Sequence, residues 1–315
     1  MLLSTIIGVK MLNSSAQTDR PLVTVIIPCY NHELYIEACV DSVYQQGYDN
    51  QQVIVIDDGS RDSSPQILTA LAEKYGFHLL IQKNRGLATT LNIAIDMAEG
   101  KYFCTMGSDD IMLPEKTTLQ VSYMERHSDV AVCGGNVEYI DGDSVRLLRH
   151  EKCLPERTLD FDELFTSEKL GIAAPTAMFR TDVLRDLNGF DTTSKLEDLP
   201  MWLRLTDKGY KIGAIDAFVL QYRKHSSNTY KNINLMVDAI TDAYMPYKNH
   251  PSYESVMQHF TCSMFLKASK SDPVLARQLF TKIKPAYYNV KLLRAVMRLS
   301  STMIKQKILH LRGNK

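Results

Sequence analysis

The 315-residue sequence lacks the features that identify several common protein classes. It has no run of about 18 apolar residues, the length that a membrane-spanning helix needs. Its six cysteines form no C-x-x-C pair, so we expect reduced thiols and no zinc site. Neither G-x-G-x-x-G nor G-x-x-x-x-G-K-[ST] occurs, which excludes the dinucleotide and P-loop fingerprints.

The sequence also lacks a net charge, because 36 Lys and Arg balance 36 Asp and Glu. The balance is not uniform along the chain. Residues 273–315 hold ten basic and no acidic residues, which leaves 26 basic against 36 acidic residues in the remaining 272. The neutral total therefore combines an acidic body with a cationic tail, and it does not exclude an anionic partner.

What the sequence does contain is an alternation of strand-like and helix-like segments from Leu22 onward. Apolar, β-branched runs predict strands at Val23–Pro28, Val53–Ile56, His78–Gln82, Lys101–Met106 and Ala131–Val137. Helical spacing of apolar residues predicts helices over His32–Gln46, from about Pro65, over Leu87–Glu99 and over Glu115–His127. Short links between such elements are typical of an α/β fold with a mostly parallel sheet flanked by helices.

Polar residues follow four of these strands directly. They are Pro28-Cys29-Tyr30-Asn31, Asp57-Asp58-Gly59-Ser60, Asn84-Arg85-Gly86 and Ser108-Asp109-Asp110. Ligands of open α/β sheets bind at the carboxyl ends of strands, so we expect these residues to line one site. Two acidic pairs without a phosphate-cradling glycine loop suggest that a metal ion handles phosphate groups there.

The ordered set of segments resembles the family 2 glycosyltransferases, which have the GT-A (Rossmann-like) fold. The matching text is VTVIIPCYNHELYIEACVDSV, VIVIDDGSRDSS, KNRGLATTLNIAI and GKYFCTMGSDDIMLPEK, followed by APTAMFRTDVLRDLNGFD, LEDLPMWLRL and YRKHSSN. The resemblance covers roughly residues 22–228. It implies inverting transfer of a sugar from a nucleotide sugar, with a UDP-sugar favoured on family grounds, to an acceptor hydroxyl. The expected acceptor is a glycan or lipid-linked glycan in surface polysaccharide or lipopolysaccharide biosynthesis.

The resemblance also implies residues that bind the nucleotide. The acidic pair Asp57 and Asp58 corresponds to the motif that contacts the base, and which of the two makes the contact stays open. The alternative is that the pair only forms a tight turn. Pro28, Tyr30 and Asn31 resemble the nucleotide-contacting loop, although a strand exit followed by a helix cap is the alternative. Arg85 precedes a helix, where its guanidinium could reach the diphosphate.

A metal site is implied by the Ser-Asp-Asp form of the D-x-D motif. The resemblance implies that Asp110 binds Mg²⁺ or Mn²⁺ and that Asp109 contacts the ribose or the sugar. The alternative is that these aspartates cap the helix that follows. Hard cations of this kind prefer oxygen ligands. His225, in the Y-R-x-H segment, is expected at the metal or the diphosphate.

The catalytic base is expected at Asp198, which the resemblance identifies as the aspartate that removes the acceptor proton. Glu197 precedes it, and Asp198 could also cap the helix that begins there. Trp202, the only tryptophan, either walls the acceptor pocket or packs in the core.

Two other functions remain open. A catalytically inert sugar-nucleotide-binding module would keep the fold, but the intact acidic pairs argue against it. A sugar-nucleotide pyrophosphorylase would carry a Gly-rich, Arg-containing first loop, whereas the loop here reads PCYNHE.

The domain organisation predicted is a flexible leader at 1–20, the glycosyltransferase domain at 21–230 and a helical region at 231–315. Within the last region, 285–312 reads as a basic amphipathic helix, with Leu292, Leu293, Val296, Met297 and Leu299 on its apolar side. We expect it to lie on an anionic membrane surface, which predicts a cytoplasmic protein bound peripherally at the inner face of the membrane. One alternative is a helix packed on the domain. A nucleic-acid contact is less favoured, because no aromatic residues alternate with the basic ones to stack on bases.

Overall fold

The computed structural model describes residues 20–148, 153–166, 171–225, 231–297 and 299. The predicted leader, apart from Arg20, and half of the predicted amphipathic helix lie outside these ranges.

The first half of the chain alternates strands and helices, as the apolar pattern predicts. Its elements are β1 (Val23–Cys29), α1 (Ile36–Tyr44), β2 (Gln51–Asp57), α2 (Ser64–Tyr75), β3 (His78–Ile81), α3 (Leu87–Met97) and β4 (Tyr102–Thr105). Strand β1 pairs in parallel with β2 on one side and with β4 on the other, and β3 extends the sheet beyond β2. Pro65 lies in the first turn of α2, and Gly76 ends this helix in a left-handed conformation that glycine adopts without strain.

The second half completes a mixed sheet of nine strands. It contains β5 (Ile111–Met112), α4 (Lys116–Arg126), β6 (Val130–Ile140), β7 (Arg157–Leu159), α5 (Phe161–Thr166), β8 (Met178–Arg180), α6 (Thr181–Asp186), α7 (Asp198–Asp207) and β9 (Lys211–Arg223). The order is β3-β2-β1-β4-β8-β6-β9-β5, with β7 paired to β9. Strand β8 is antiparallel to both β4 and β6, while β6 and β9 run parallel to each other through several register shifts.

Both faces of the sheet are covered, which explains the continuous apolar character of its central strands. On one face, residues such as Ile26 and Ile54 pack with α3, α6 and α7. On the other, Val25 and Val55 pack with α1, α2 and α4. The carboxyl ends of β1, β2 and β4 therefore open at one edge, where the strand-end motifs meet.

The C-terminal helices are α8 (Ile233–Tyr244), α9 (Tyr253–Ser271) and α10 (Pro273–Lys282), followed by a helical segment at residues 290–297, here called the C-terminal segment. They share a separate apolar cluster built around Phe265, which is fully buried. Leu292 and Leu299 enter this cluster, but Leu293 and Met297 are 52% and 64% exposed. The predicted apolar side is thus divided between an internal row and an outward one.

In the described part of the chain, no helix combines the length and the apolar character needed to cross a membrane. All six cysteines lie within the described ranges, and all have free thiols, as expected from the sequence.

Candidate active site

A cleft of about 1000 Å³ opens at the carboxyl ends of the central strands. It brings together residues from all the strand-end motifs and from the later segments of the sequence. Its lining includes Pro28, Tyr30, Asn31, Asp58, Asn84, Gly86, Ser108, Asp109, Asp110, Ala174, Pro175, Glu197, Asp198, Lys224 and His225. The volume is at the upper end of that of small-molecule sites, as a nucleotide-sized ligand requires.

The two aspartates that follow β2 have different environments. Asp57 is fully buried, and its Oδ1 accepts hydrogen bonds from the backbone N–H groups of Gly59 and Ser60. Asp58 lines the cleft, and its carboxylate accepts hydrogen bonds from the backbone N–H groups of Arg85 and Gly86. Asp57 therefore closes the turn, while Asp58 joins the ends of β2 and β3 beside the cleft.

The loop after β1 is held against the loop after β2. Asn31 has φ +55°, its N–H donates to Ser60 Oγ and its Oδ1 accepts from the N–H of Arg61. It does not cap α1, which begins at Ile36, so capping is not the reason for an asparagine here. Tyr30 is 43% exposed at the mouth of the cleft.

Arg85 belongs to the rim of the cleft rather than to its lining. Its side chain is exposed, and the contact that the structure records is the backbone hydrogen bond to Asp58. The cation that does line the cleft is Lys224, which the sequence motifs did not single out. Its Nζ lies 3.6 Å from the centre of the Tyr139 ring, and partial burial lowers the pKa of its ammonium group.

A group of three side chains has the arrangement of a metal site. One ligand atom from each of His32, Asp109 and His225 lies within 4.8 Å of the other two, and His225 Nε2 is 2.7 Å from Asp109 Oδ2. His32 Nδ1 is also 2.7 Å from Ser108 Oγ, and burial lowers the pKa of His32, which favours the neutral imidazole that binds metals. The carboxylate suits Mg²⁺ and Mn²⁺, and the two imidazoles add nitrogen ligands of the kind that transition metals accept.

Asp110, the metal ligand that the resemblance implies, lines the same cleft. It is 2% exposed, and its Oδ1 accepts a hydrogen bond from the backbone N–H of Arg223 at 2.8 Å. Burial, followed by the charge of Asp109, raises the pKa of the Asp110 carboxyl. The group of converging ligand atoms thus contains Asp109, while one oxygen of Asp110 accepts a hydrogen bond from β9. The assignment of the metal to Asp110 stays a prediction.

Arg223 is the residue that holds this acidic loop in place, a role that was not predicted from the sequence. It is 1% exposed, its Nε donates to the carbonyl of Asp109, and its Nη1 donates to the carbonyl of Asp141 and to Ser144 Oγ. Its guanidinium lies 4.5 Å from the ring centre of Tyr35. Tyr35 in turn stacks on His225 at 5.6 Å, so one buried arginine orients both the acidic loop and the imidazole.

Gly107 explains why the acidic loop can be so compact. A Cβ at this position would lie 2.7 Å from Asp110 Oδ2 and 3.1 Å from Asp109 Oδ1. Any side chain here would displace the two carboxylates, so the loop depends on a residue without one.

The second acidic pair, Glu197 and Asp198, also lines the cleft and lies at the start of α7. Asp198 Oδ1 accepts a hydrogen bond from the N–H of Leu199, so this aspartate contributes to the first turn of the helix. Burial, followed by the charge of Asp198, raises the pKa of Glu197 to about 7, and burial raises that of Asp198 above its ordinary value. A partly buried carboxylate of this kind is a stronger base than a solvated one.

Trp202 is a core residue. It is 1% exposed and stacks on Phe179 with ring centres 5.4 Å apart. Together with Glu197 and Asp198 it lines a small cavity of about 90 Å³ that adjoins the cleft. Its position supports core packing, one of the two alternatives left open by the sequence.

Known proteins resemble this chain in sequence over most of the cleft-forming part. Glycosyl transferase family 2 matches residues 24–187. An uncharacterized glycosyltransferase of Methanocaldococcus jannaschii is 27% identical over 68% of this chain and 74% of its own length. The amylovoran biosynthesis glycosyltransferase AmsE of Erwinia amylovora is 28% identical over 64% of this chain and 76% of its own.

Solved structures share the fold. TarS 1-349 of S. aureus in complex with UDP-GlcNAc superposes with a TM-score of 0.61, 18% identity, and coverage of 83% of this chain and 79% of that one. The mannosyltransferase PcManGT of Pyrobaculum calidifontis, in complex with GDP-Man and Mn²⁺, superposes with a TM-score of 0.55 and 20% identity. The match covers 92% of this chain and 88% of that one. These likenesses confirm the predicted GT-A fold with a helical C-terminal region. The family match spans just over half of the 315 residues and includes the strand-end motifs that line the cleft, so the chain belongs to glycosyl transferase family 2 and is a glycosyltransferase.

Proposed function

We propose that this glycosyltransferase moves a sugar from a nucleotide sugar, with a UDP-sugar favoured, to a glycan hydroxyl with inversion at the anomeric carbon. The observation that carries the proposal is that a group fit for a divalent metal, at Asp109, and a candidate base, at Asp198, line the same cleft. Relatives that include an amylovoran biosynthesis enzyme support a role in polysaccharide assembly.

For the metal, we assign His32, Asp109 and His225 as the ligands. Their ligand atoms already converge within 4.8 Å, so an ion would require little movement of the chain. When bound, a divalent ion neutralises charge on the departing nucleoside diphosphate. Asp110 keeps the loop in place through Arg223, so Asp109→Asn should abolish Mn²⁺ binding measured by electron paramagnetic resonance, while Asp110→Asn should weaken it less.

For the nucleotide, we assign Asp58 and the loop of Pro28, Tyr30 and Asn31, because all four line the cleft. Lys224 supplies the positive charge for the diphosphate, a role that the exposed Arg85 is less well placed to fill.

For the base, we assign Asp198. Its raised pKa lies nearer neutrality than that of a solvated aspartate, which favours proton transfer from an attacking hydroxyl. A single base that assists direct attack opposite the leaving group gives inversion.

For the acceptor, we favour a lipid-linked glycan used at an anionic membrane surface on the cytoplasmic side. The support is the cationic C-terminal region, where ten basic residues occur without an acidic one over residues 273–315.

The test is release of nucleoside diphosphate from a panel of nucleotide sugars, with Mn²⁺ or Mg²⁺ and with EDTA. We expect metal-dependent release with at least one donor, and its loss in Asp198→Asn. An inert binding module would bind a donor without releasing diphosphate, and that result would overturn the proposal.

A further inference from the structure

A second cleft, of about 440 Å³, lies between α9 and the C-terminal segment. It shares no lining residue with the catalytic cleft. Its lining consists of Ser263, Leu266, Lys267, Ser269 and Lys270 from α9, and Lys291, Arg294 and Ala295 from the C-terminal segment. We refer to it as the basic cleft.

Four exposed cations converge on this concavity. Lys267 and Lys270 are one turn apart on α9, and Lys291 and Arg294 are one turn apart on the facing segment. No acidic residue is among its described lining residues, and within the described ranges none of the four cations forms an ion pair. Like charges held around one depression repel one another, so an anion that enters it is stabilised by all four.

Two acidic residues near the ends of α9 are engaged elsewhere. Glu254, at the start of α9, pairs with Lys284. Asp272 caps α10 by accepting from the N–H of Leu275, and it also accepts from the side chain of Asn234. Neither of these two carboxylates pairs with a cation of the basic cleft.

An apolar row borders the basic cleft on the outside of the C-terminal segment. Val290, Leu293 and Met297 are 61%, 52% and 64% exposed. Their spacing of three and four residues places them on one stripe of the helix, beside the stripe that carries Lys291 and Arg294. Apolar side chains next to a cationic depression match the boundary between acyl chains and phosphate headgroups.

We propose that the basic cleft binds the phosphate headgroups of an anionic bilayer, with the apolar row entering the headgroup–acyl boundary. This inference rests on the membrane part of the proposed function and makes it specific, because it places the contact at α9 as well as at the C-terminal segment. Lys270 lies in the last turn of α9, where the helix dipole favours a positive charge. This accounts for a lysine at that position, but it does not account for Lys291 and Arg294 on the facing segment.

The experiment is flotation of the full-length protein with vesicles of phosphatidylcholine alone or with 30 mol% phosphatidylglycerol (about the anionic content used in such assays). The test variant is Lys267→Glu/Lys270→Glu, which changes α9 without altering the C-terminal segment. The matched control is Lys208→Glu/Lys248→Glu, which makes the same charge change at two exposed lysines outside both clefts. Circular dichroism and donor hydrolysis check that each variant is folded.

We expect the wild-type protein and the control to float with anionic vesicles only. The cleft variant should partition at least about 25-fold more weakly, since each removed cation near an anionic surface accounts for about fivefold. Leu293→Ser/Met297→Ser should also weaken partition, although its charge is unchanged.

Three results would overturn the inference. Equal loss in the control and cleft variants would show a general charge effect. Flotation of the cleft variant at the wild-type level would place the membrane contact elsewhere. Binding of inorganic phosphate or a single-stranded oligonucleotide to this cleft without flotation of the wild type would assign it to a soluble anion. Donor hydrolysis is measured in solution, so its presence or absence tests the transferase proposal separately.

Discussion

Replacement of Glu197 by Gln tests separately how the second acidic pair affects the free energy of unfolding and how it affects catalysis. Burial and the charge of Asp198 raise the pKa of Glu197 from 4.5 to about 7 in the folded protein. A carboxyl whose folded pKa lies above its unfolded value binds its proton more tightly when folded. The free energy of unfolding therefore falls as pH rises from about 4.5 through about 7, and it stays lower above that range.

The magnitude follows from the size of the shift. At about 1.4 kcal/mol per pKa unit, ionised Glu197 lowers the free energy of unfolding by about 3 kcal/mol. Glu197→Gln should therefore be more stable than the wild type by up to about 3 kcal/mol at pH 8 and no more stable at pH 4. Urea unfolding at the two pH values measures both differences.

Activity provides the second half of this test. Glu197→Gln should retain most of the donor hydrolysis, whereas the isosteric Asp198→Asn should lose about 10²-fold or more because it removes the base. The reasoning is refuted if Glu197→Gln is no more stable than the wild type at pH 8, or if it is as inactive as Asp198→Asn.

Three further substitutions test the neighbouring residues. Arg223→Met should lower the free energy of unfolding by about 2–4 kcal/mol in urea titrations, because it removes a buried guanidinium with several acceptors. Gly107→Ala should weaken Mn²⁺ binding by at least about tenfold in calorimetry, since its Cβ would displace Asp109 and Asp110; unchanged affinity would contradict this geometry. Lys224→Met should weaken nucleoside diphosphate binding by about tenfold or more without changing the unfolding midpoint, and equal affinity would remove Lys224 from the diphosphate site.

The parallel half of the fold could be predicted because its signals are local. Val23–Cys29 is a continuous β-branched run, and such a run fits a strand that is covered on both faces. Strand β8 could not be found in this way, because three residues, Met178–Arg180, are too few to show a period. Its antiparallel position between β4 and β6 is set by contacts that are distant in sequence.

The location of the cleft was also predictable, but the different surroundings of the residues within it were not. Strand-end motifs place Asp109 and Asp110 at the cleft, yet adjacent residues of the same type carry no signal that distinguishes them. The difference arises from the backbone N–H of Arg223, more than a hundred residues away, which occupies one Asp110 oxygen. His32 and Arg223 both belong to segments that resemble the family, but only the folded chain shows that His32 lies near Asp109 and that Arg223 donates to the Asp109 carbonyl.

In the C-terminal region, too, the sequence pattern could not show which apolar residues are buried and which are exposed. Helical spacing identified its apolar residues, but it could not divide them between the interior and the outside. Leu292 became internal because α9 and α10 present a complementary apolar surface, whereas Met297 points away from them.

The central claim is direct displacement at the anomeric carbon with Asp198 as the single base. Time-resolved ¹H NMR of donor hydrolysis tests it most directly, because water replaces the unknown acceptor and the first anomer released is observed before mutarotation. We expect that an α-linked donor gives the β-sugar first, and that Asp198→Asn abolishes this signal. Initial release of the α-sugar, or an unchanged rate in Asp198→Asn, would contradict it.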